Sequence, residues 1–271
     1  MLQLALIGLL AGATGGLLGI GGAVVIIPAL VLLRGPEHQH LYQAAAAIVT
    51  CCVTIPAALQ HQRAGAVIPR VIHWTLPTAG IGALVGTLCS ELAVFRGSGQ
   101  GRLQLIFAAF LAYTLLYNLS RLADARRRPP IDLAEAGRFN RAVLLFGVGL
   151  PAGLFGGLLG VGGGVITVPA QQFLLRMPLR QAIANSAVTI LASTAVGALA
   201  KNSMIARHGY TLSEVWLLAA PLIPTAIVAS WYTSARVHRW PVRGIRAAFA
   251  VLLAYCIYLL VNAGVGQLNA G

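Results

Sequence analysis

Apolar residues run through this chain in eight long stretches, 2–33, 41–60, 71–95, 103–120, 142–175, 179–200, 211–235 and 244–263. Charged residues gather in the gaps between them. A membrane-crossing helix needs about 20 apolar residues, so the pattern predicts an all-α polytopic membrane protein. The first stretch opens MLQLALIGLL, with no basic residue before it and no small-residue cleavage pattern. It reads as a membrane segment rather than as a removed leader.

Two of the eight stretches are too long for one crossing. Segments 2–33 and 142–175 would each make about 50 Å of helix, against a hydrocarbon core of roughly 30 Å. Both are interrupted by glycine at their centres, where each glycine weakens a helix by about 1 kcal/mol relative to alanine. Each is therefore expected to fold as a helical hairpin, re-entrant or fully crossing. The two interruptions are copies of one another. Ala11–Ala29, AGATGGLLGIGGAVVIIPA, matches Ala152–Ala170, AGLFGGLLGVGGGVITVPA, at 12 of 19 positions. The residues around Thr50, Cys51 and Thr54 faintly echo those around Asn185, Ser186 and Thr189. The chain thus divides into a first repeat, 1–120, a polar linker, 121–140, and a second repeat, 141–271. Within the linker, Asp132 and Glu135 after Pro129-Pro130 have the spacing of a capping box that opens a short surface helix.

Composition supports the membrane reading and then adds an orientation. Of 271 residues 58% are hydrophobic and 9% charged, with a net charge of +13. A soluble domain carries about 25% charged residues. The cations are scattered singly between apolar runs, which argues against a nucleic-acid partner and for a lipid bilayer. If every stretch crosses once, alternate loops hold 10 and 9 basic residues. If both hairpins return to their own side, the split becomes 14 against 5. The positive-inside rule favours the second arrangement. It makes the two repeats inverted, with both termini outside and the 121–141 stretch in the cytoplasm. Inverted repeats with broken helices are a hallmark of secondary transporters.

The glycine turns are the candidate site. Irregular backbone at membrane depth belongs against protein or a wet cavity. The helix after each turn presents free N–H groups and a positive dipole end, which suits an anion. Candidate substrate-binding residues are Gly19, Gly21, Gly22 and Ala23 in the first turn, with Gly160, Gly162, Gly163 and Gly164 in the second. Thr50, Asn185, Ser186, Thr189 and Gln171 are the polar side chains that would complete it. Close helix packing is the competing reading of the glycines, and an interhelical hydrogen bond that of Asn185. Thr167, Gln171 and Gln172 flank Pro169, where the first repeat has Ile26, Leu30 and Val31, so the site would be asymmetric.

Titratable residues fall near the predicted segment ends. Glu91 and Glu214 read as interfacial, Lys201 and Arg246 as loop cations, and the six histidines as end residues. No H-x-x-x-H pair suggests zinc, no intramembrane acid offers a catalytic triad or proton relay, and no cofactor is implied. Cys51, Cys52, Cys89 and Cys256 read as small buried hydrophobes.

The paired G-G-L-L-G-[IV]-G-G-[AG]-V-x-x-x-P blocks at 15–28 and 156–169, each followed by an Ala/Ser/Thr-rich helix, resemble the TauE/SafE family of sulfite exporters. The resemblance spans about 8–262. It implies an inner-membrane carrier of a small sulfur-containing anion, such as sulfite, a sulfonate or sulfoacetate. Within the motif it singles out Gly19, Gly21, Gly22 and Pro28, with Gly160, Gly162, Gly163 and Pro169. Uptake of another sulfur metabolite is the alternative transport reading. A membrane-embedded enzyme or assembly factor is the alternative from another class, and it would need a polar cluster. A homo-oligomer is compatible with all of these.

Overall fold

The computed structural model describes residues 2–123, 140–236 and 241–270, and among these it contains helices and no strand. The linker's capping box, Asp132 to Glu135, lies outside the described residues. The first predicted hairpin is α1 (Leu2–Leu18) and α2 (Ala23–Arg34), broken at 19–22. Next come α3 (Gln39–Arg63), α4 (Pro69–Ser90) and α5 (Gln100–Ala123). The second hairpin is a π-helical stretch, Val143–Gly149, running into α6 (Leu150–Leu159), then α7 (Gly164–Leu174) after a break at 160–163. The chain closes with α8 (Leu179–Met204), α9 (Leu212–Arg236) and α10 (Val242–Ala270).

Among the described residues, six helices are long and apolar enough to cross a membrane: α3, α4, α5, α8, α9 and α10. The second arms of the hairpins are not. With 12 and 11 residues, α2 and α7 reach about 18 Å at 1.5 Å per residue, short of the hydrocarbon thickness. Large apolar side chains such as Leu116, Phe146, Leu199, Leu217, Val228 and Val251 stand on the outside. A soluble protein would pay heavily for that belt, whereas lipid accepts it. The protein is a multi-pass, all-α membrane protein.

The halves interlock rather than sit side by side. α1 of the first half packs along α9 of the second, and α6 of the second packs along α4 of the first. Likewise α3 lies on α9 and α8 on α4, while α5 pairs with α10. Glycines at a four-residue spacing make both crossings. A side chain at Gly8, Gly12 or Gly16 would strike Leu222, Ala226 or Ser230 backbone. A side chain at Gly149, Gly153 or Gly157 would strike Thr75, Ala79 or Ala83 backbone. Backbones this close gain dispersion contact along the whole crossing, which is what drives helix association in lipid.

Two ends of the bundle can be told apart by what meets there. The start of α3 and the ends of α4 and α8 converge on His40, Glu91 and His208. At the other end, the starts of α4 and α8 meet through Ile68 and Asn185, and α5, α7 and α10 meet through Asn118, Gln172 and Arg246.

Candidate functional site

The two glycine turns touch one another in the buried interior. A side chain at Gly164 would collide with Ile20 and fall 2.7 Å from the Gly19 carbonyl oxygen. One at Gly21 would lie 3.5 Å from the Val161 carbonyl oxygen. The turn shape itself needs glycine: Gly21 and its counterpart Gly162 have φ of 80° and 77°, where a Cβ is strained. Not every glycine of the repeated block belongs to the turn, however. Gly16 and Gly157 serve the helix crossings, and Gly15 and Gly156 let each hairpin's first arm rest on its own turn. The close-packing reading therefore holds for the glycines of the crossings, while Gly21 and Gly162 shape the turns.

Past each turn the helix starts with free donors. The Gly22 carbonyl accepts from Val25 and Ile26, and the Gly163 carbonyl from Ile166 and Thr167. The N–H groups of Ala23 and Val24, and of Gly164 and Val165, precede any acceptor within their own helix. The positive end of α7 lies against the first turn, where Gly164 meets Ile20 and Gly19, and that of α2 begins two residues past Gly21. Ala23, Val24, Gly164 and Val165 are all fully buried.

Helix α8 fastens both turns. The Ser186 hydroxyl donates to the Gly19 carbonyl at 2.6 Å, and the Ser193 hydroxyl donates to the Gly162 carbonyl at 2.7 Å. Thr50 of α3 stands between them, its methyl against the Cβ positions of both Gly21 and Gly162. Its hydroxyl is fully buried with no hydrogen-bond partner. Asn185 and Thr189 lie on another face of α8. Asn185 accepts the Ile68 backbone N–H at 2.8 Å, and Thr189 pairs with the Thr75 hydroxyl at 3.1 Å. They tie α8 to α4, as the interhelical reading of Asn185 expects. Gln171 is fully buried in α7, and neither its amide oxygen nor its nitrogen has a partner. Thr167 spends its hydroxyl on the Gly163 carbonyl.

Two cations expected in loops stand on helices instead, Lys201 buried and Arg246 half-buried. Lys201 is not a loop residue, because α8 continues to Met204 and buries it at 5% exposure. Its ammonium donates to Gln43 Oε1 at 2.8 Å and to Ser90 Oγ at 3.1 Å. Glu91 stands at the end of α4, as expected, but its side chain is only 10% exposed, and His208 lies 2.9 Å from it. The His208 ring stacks on His40 at 3.7 Å. The ligating atoms of His40, Glu91 and His208 fall within 4.8 Å of one another. They already have partners, though, with His40 bonded to the Phe95 carbonyl, and the Lys201 charge beside them opposes a metal cation. Nearer the surface, burial and the neighbouring Glu214 and Glu37 raise the Tyr210 phenol above its ordinary pKa.

The second cation, Arg246, also leaves its expected loop. It hydrogen-bonds Gln172 and Asn118 at the edge of a cavity of about 30 Å³. Leu18 and Ile20 of the first hairpin and Val165 of the second line that cavity too. A gap of that size holds a water or two. Neither cation was visible as a site residue because its partners come from other helices.

Two broken hairpins that meet in the buried interior, flanked by long apolar helices, define the candidate site of a polytopic membrane protein. The protein belongs to the family described as "Sulfite exporter TauE/SafE", whose model matches residues 4–260. It is 29% identical over 94% of its length to "Probable membrane transporter protein MamO" of Magnetospirillum gryphiswaldense, covering 44% of that protein. It is 28% identical over 82% of its length to "Probable membrane transporter protein YunE" of Bacillus subtilis, covering 83% of that one. The chain thus spans less than half of the MamO length. No solved structure matches it.

Proposed function

We propose that this protein exports a small sulfur-containing anion, such as sulfite, a sulfonate or a sulfoacetate-like compound, and that its two glycine turns form one substrate site. The observation that carries this reading is the contact of the turns around the unpartnered Thr50 hydroxyl. Free N–H groups, two helix dipoles and one hydroxyl then converge where the backbone lacks side chains. Such a site binds an oxyanion by hydrogen bonding without requiring a fixed counter-charge. Asn185 and Thr189 hold α8 in place, Ser186 and Ser193 hold the turns, and Gln171 supplies an amide on the second hairpin only.

Inverted halves fit this role. α2 leads into the start of α3 at the His40 end, whereas α7 leads into the start of α8 at the opposite end. With the basic loops inside, the Arg246 end faces the cytoplasm of a bacterial inner membrane and the termini face outward. Rocking of one hairpin against the other would then expose the turns to each side alternately. An inside-negative potential favours outward movement of each negative charge by about 2.3 kcal/mol per 100 mV, so export of an anion needs no further energy source.

The test is flux into and out of proteoliposomes with sulfite, sulfoacetate, taurine and sulfate, with and without an imposed potential. Potential-driven movement of sulfite or sulfoacetate is the expected result, with no potential-driven movement of the net-neutral zwitterion taurine. Flux that ignores the potential and follows only a proton gradient would sink the uniport mechanism. Absence of flux for every sulfur anion would sink the substrate class.

A further inference from the structure

Helix α3 carries a line of buried polar side chains that no packing role explains. Gln39, Gln43 and Thr50 follow one another at intervals of four and seven residues, so they share one face of the helix. All three are fully buried. Each keeps a donor that nothing accepts: Gln39 Nε2, Gln43 Nε2 and Thr50 Oγ1. Buried donors are satisfied in the great majority of cases, and an orphan calls for an unseen water, ion or ligand. Here three orphans are aligned, from the His40 end of the bundle to the glycine turns.

The charge beside this line has the matching sign. Lys201 donates to Gln43 and to Ser90, which leaves one of its three protons without an acceptor among the described residues. Both acceptors are neutral. The nearby carboxylate, Glu91, is bonded to His208, and Arg96 lies 3.9 Å from it. The Lys201 ammonium is therefore an incompletely compensated positive charge inside the bundle. It connects to the site directly, because Gln43 packs against Gly160, the first residue of the second turn.

We propose that Gln43 and Lys201 form a second anion-binding step, between the His40 end and the glycine turns, with Gln39 above it and Thr50 handing the anion on to the turns. The ammonium and the Gln43 amide hold one oxyanion together, and the Thr50 hydroxyl lies two helical turns further along α3. The step takes a compact oxyanion rather than a bulky one, since the alanines Ala44, Ala46 and Ala47 around the line are themselves buried. It rests on the reading of the protein as an anion carrier.

Sulfite flux in proteoliposomes tests it, with KM and maximal rate measured separately for Lys201→Met, Lys201→Arg and Gln43→Leu. The expected result is a KM at least tenfold higher for Lys201→Met, a smaller rise for Gln43→Leu, and near-wild-type KM for Lys201→Arg. A merely structural lysine would lower the amount of folded carrier while leaving KM alone. Should Lys201→Met not fold, Gln43→Leu still decides, because it replaces one buried amide by a side chain of similar size. An unchanged KM in that variant overturns the step. So does a normal KM in Lys201→Met with lost proton dependence, which would make Lys201 a proton carrier. Wild-type vesicles that move no sulfur anion would instead remove the carrier reading itself.

Discussion

The two glycine turns have almost the same backbone and very different surroundings. The first turn touches Ser186 and Thr50, but Ile183 crowds Gly19 and α2 continues with Ile26, Leu30 and Val31, all buried. The second meets Gln43, Thr194 and, through Gln43, Lys201, while α7 continues with Thr167, Gln171 and Gln172. The broken backbone is what the two turns share, and the polar side chains after it stand on the second hairpin only. In the proposed carrier, two equivalent hairpins would treat both faces alike, and the polar second hairpin breaks that equivalence.

The largest effect should come where the halves are most alike. Replacing Gly12 or Gly153 by Leu drives a side chain into the backbone of Ala226 or Ala79. Each should cost more than about 4 kcal/mol, since neither crossing can open without unpacking the hairpin. Size-exclusion profiles in detergent should show both variants lost, and survival of one alone would break the symmetry. Next come the turns. Gly21→Ala and Gly162→Ala each force a strained φ costing about 1–3 kcal/mol, and flux should fall at least tenfold in both while folded protein is still recovered. Full transport in either variant would confine the site to the other hairpin.

Smaller effects sharpen the asymmetry. Ser186→Ala and Ser193→Ala each leave a buried turn carbonyl short of a donor, worth about 1–3 kcal/mol. Thermal unfolding should show similar losses for the two, and a loss confined to one would mean that α8 secures a single turn. Gln171→Leu should be the mildest for stability. It removes two unsatisfied polar atoms, so the melting temperature should hold or rise, while transport falls. An unchanged flux would make the Gln171 amide irrelevant to the carrier.

Much of this arrangement can be read from the sequence, for reasons that differ by region. Overlong segments with central glycines declare the hairpins, because length and helix propensity are local properties. Gly12 and Gly153 cannot be told from Gly21 and Gly162 by spacing alone, since their difference is what stands opposite them. Lys201 shows the limit most clearly. A charge at the edge of an apolar run reads as the end of a helix, but Gln43 of α3 and Ser90 of α4 accept its protons and let α8 continue. Glu91 and His208 are hidden in the same way, 117 positions apart in the chain and 2.9 Å apart in space. Asn185 was conspicuous, and its bond to Ile68 makes it a strut.

We propose that the two turns, one from each half, make one anion site. Calorimetric titration of sulfite into the purified carrier in nanodiscs tests it most directly, comparing wild type with Gly21→Ala and Gly162→Ala. A shared site predicts tight binding of one sulfite per chain at the turns, lost in both variants. Binding that survives unchanged in either variant would contradict it.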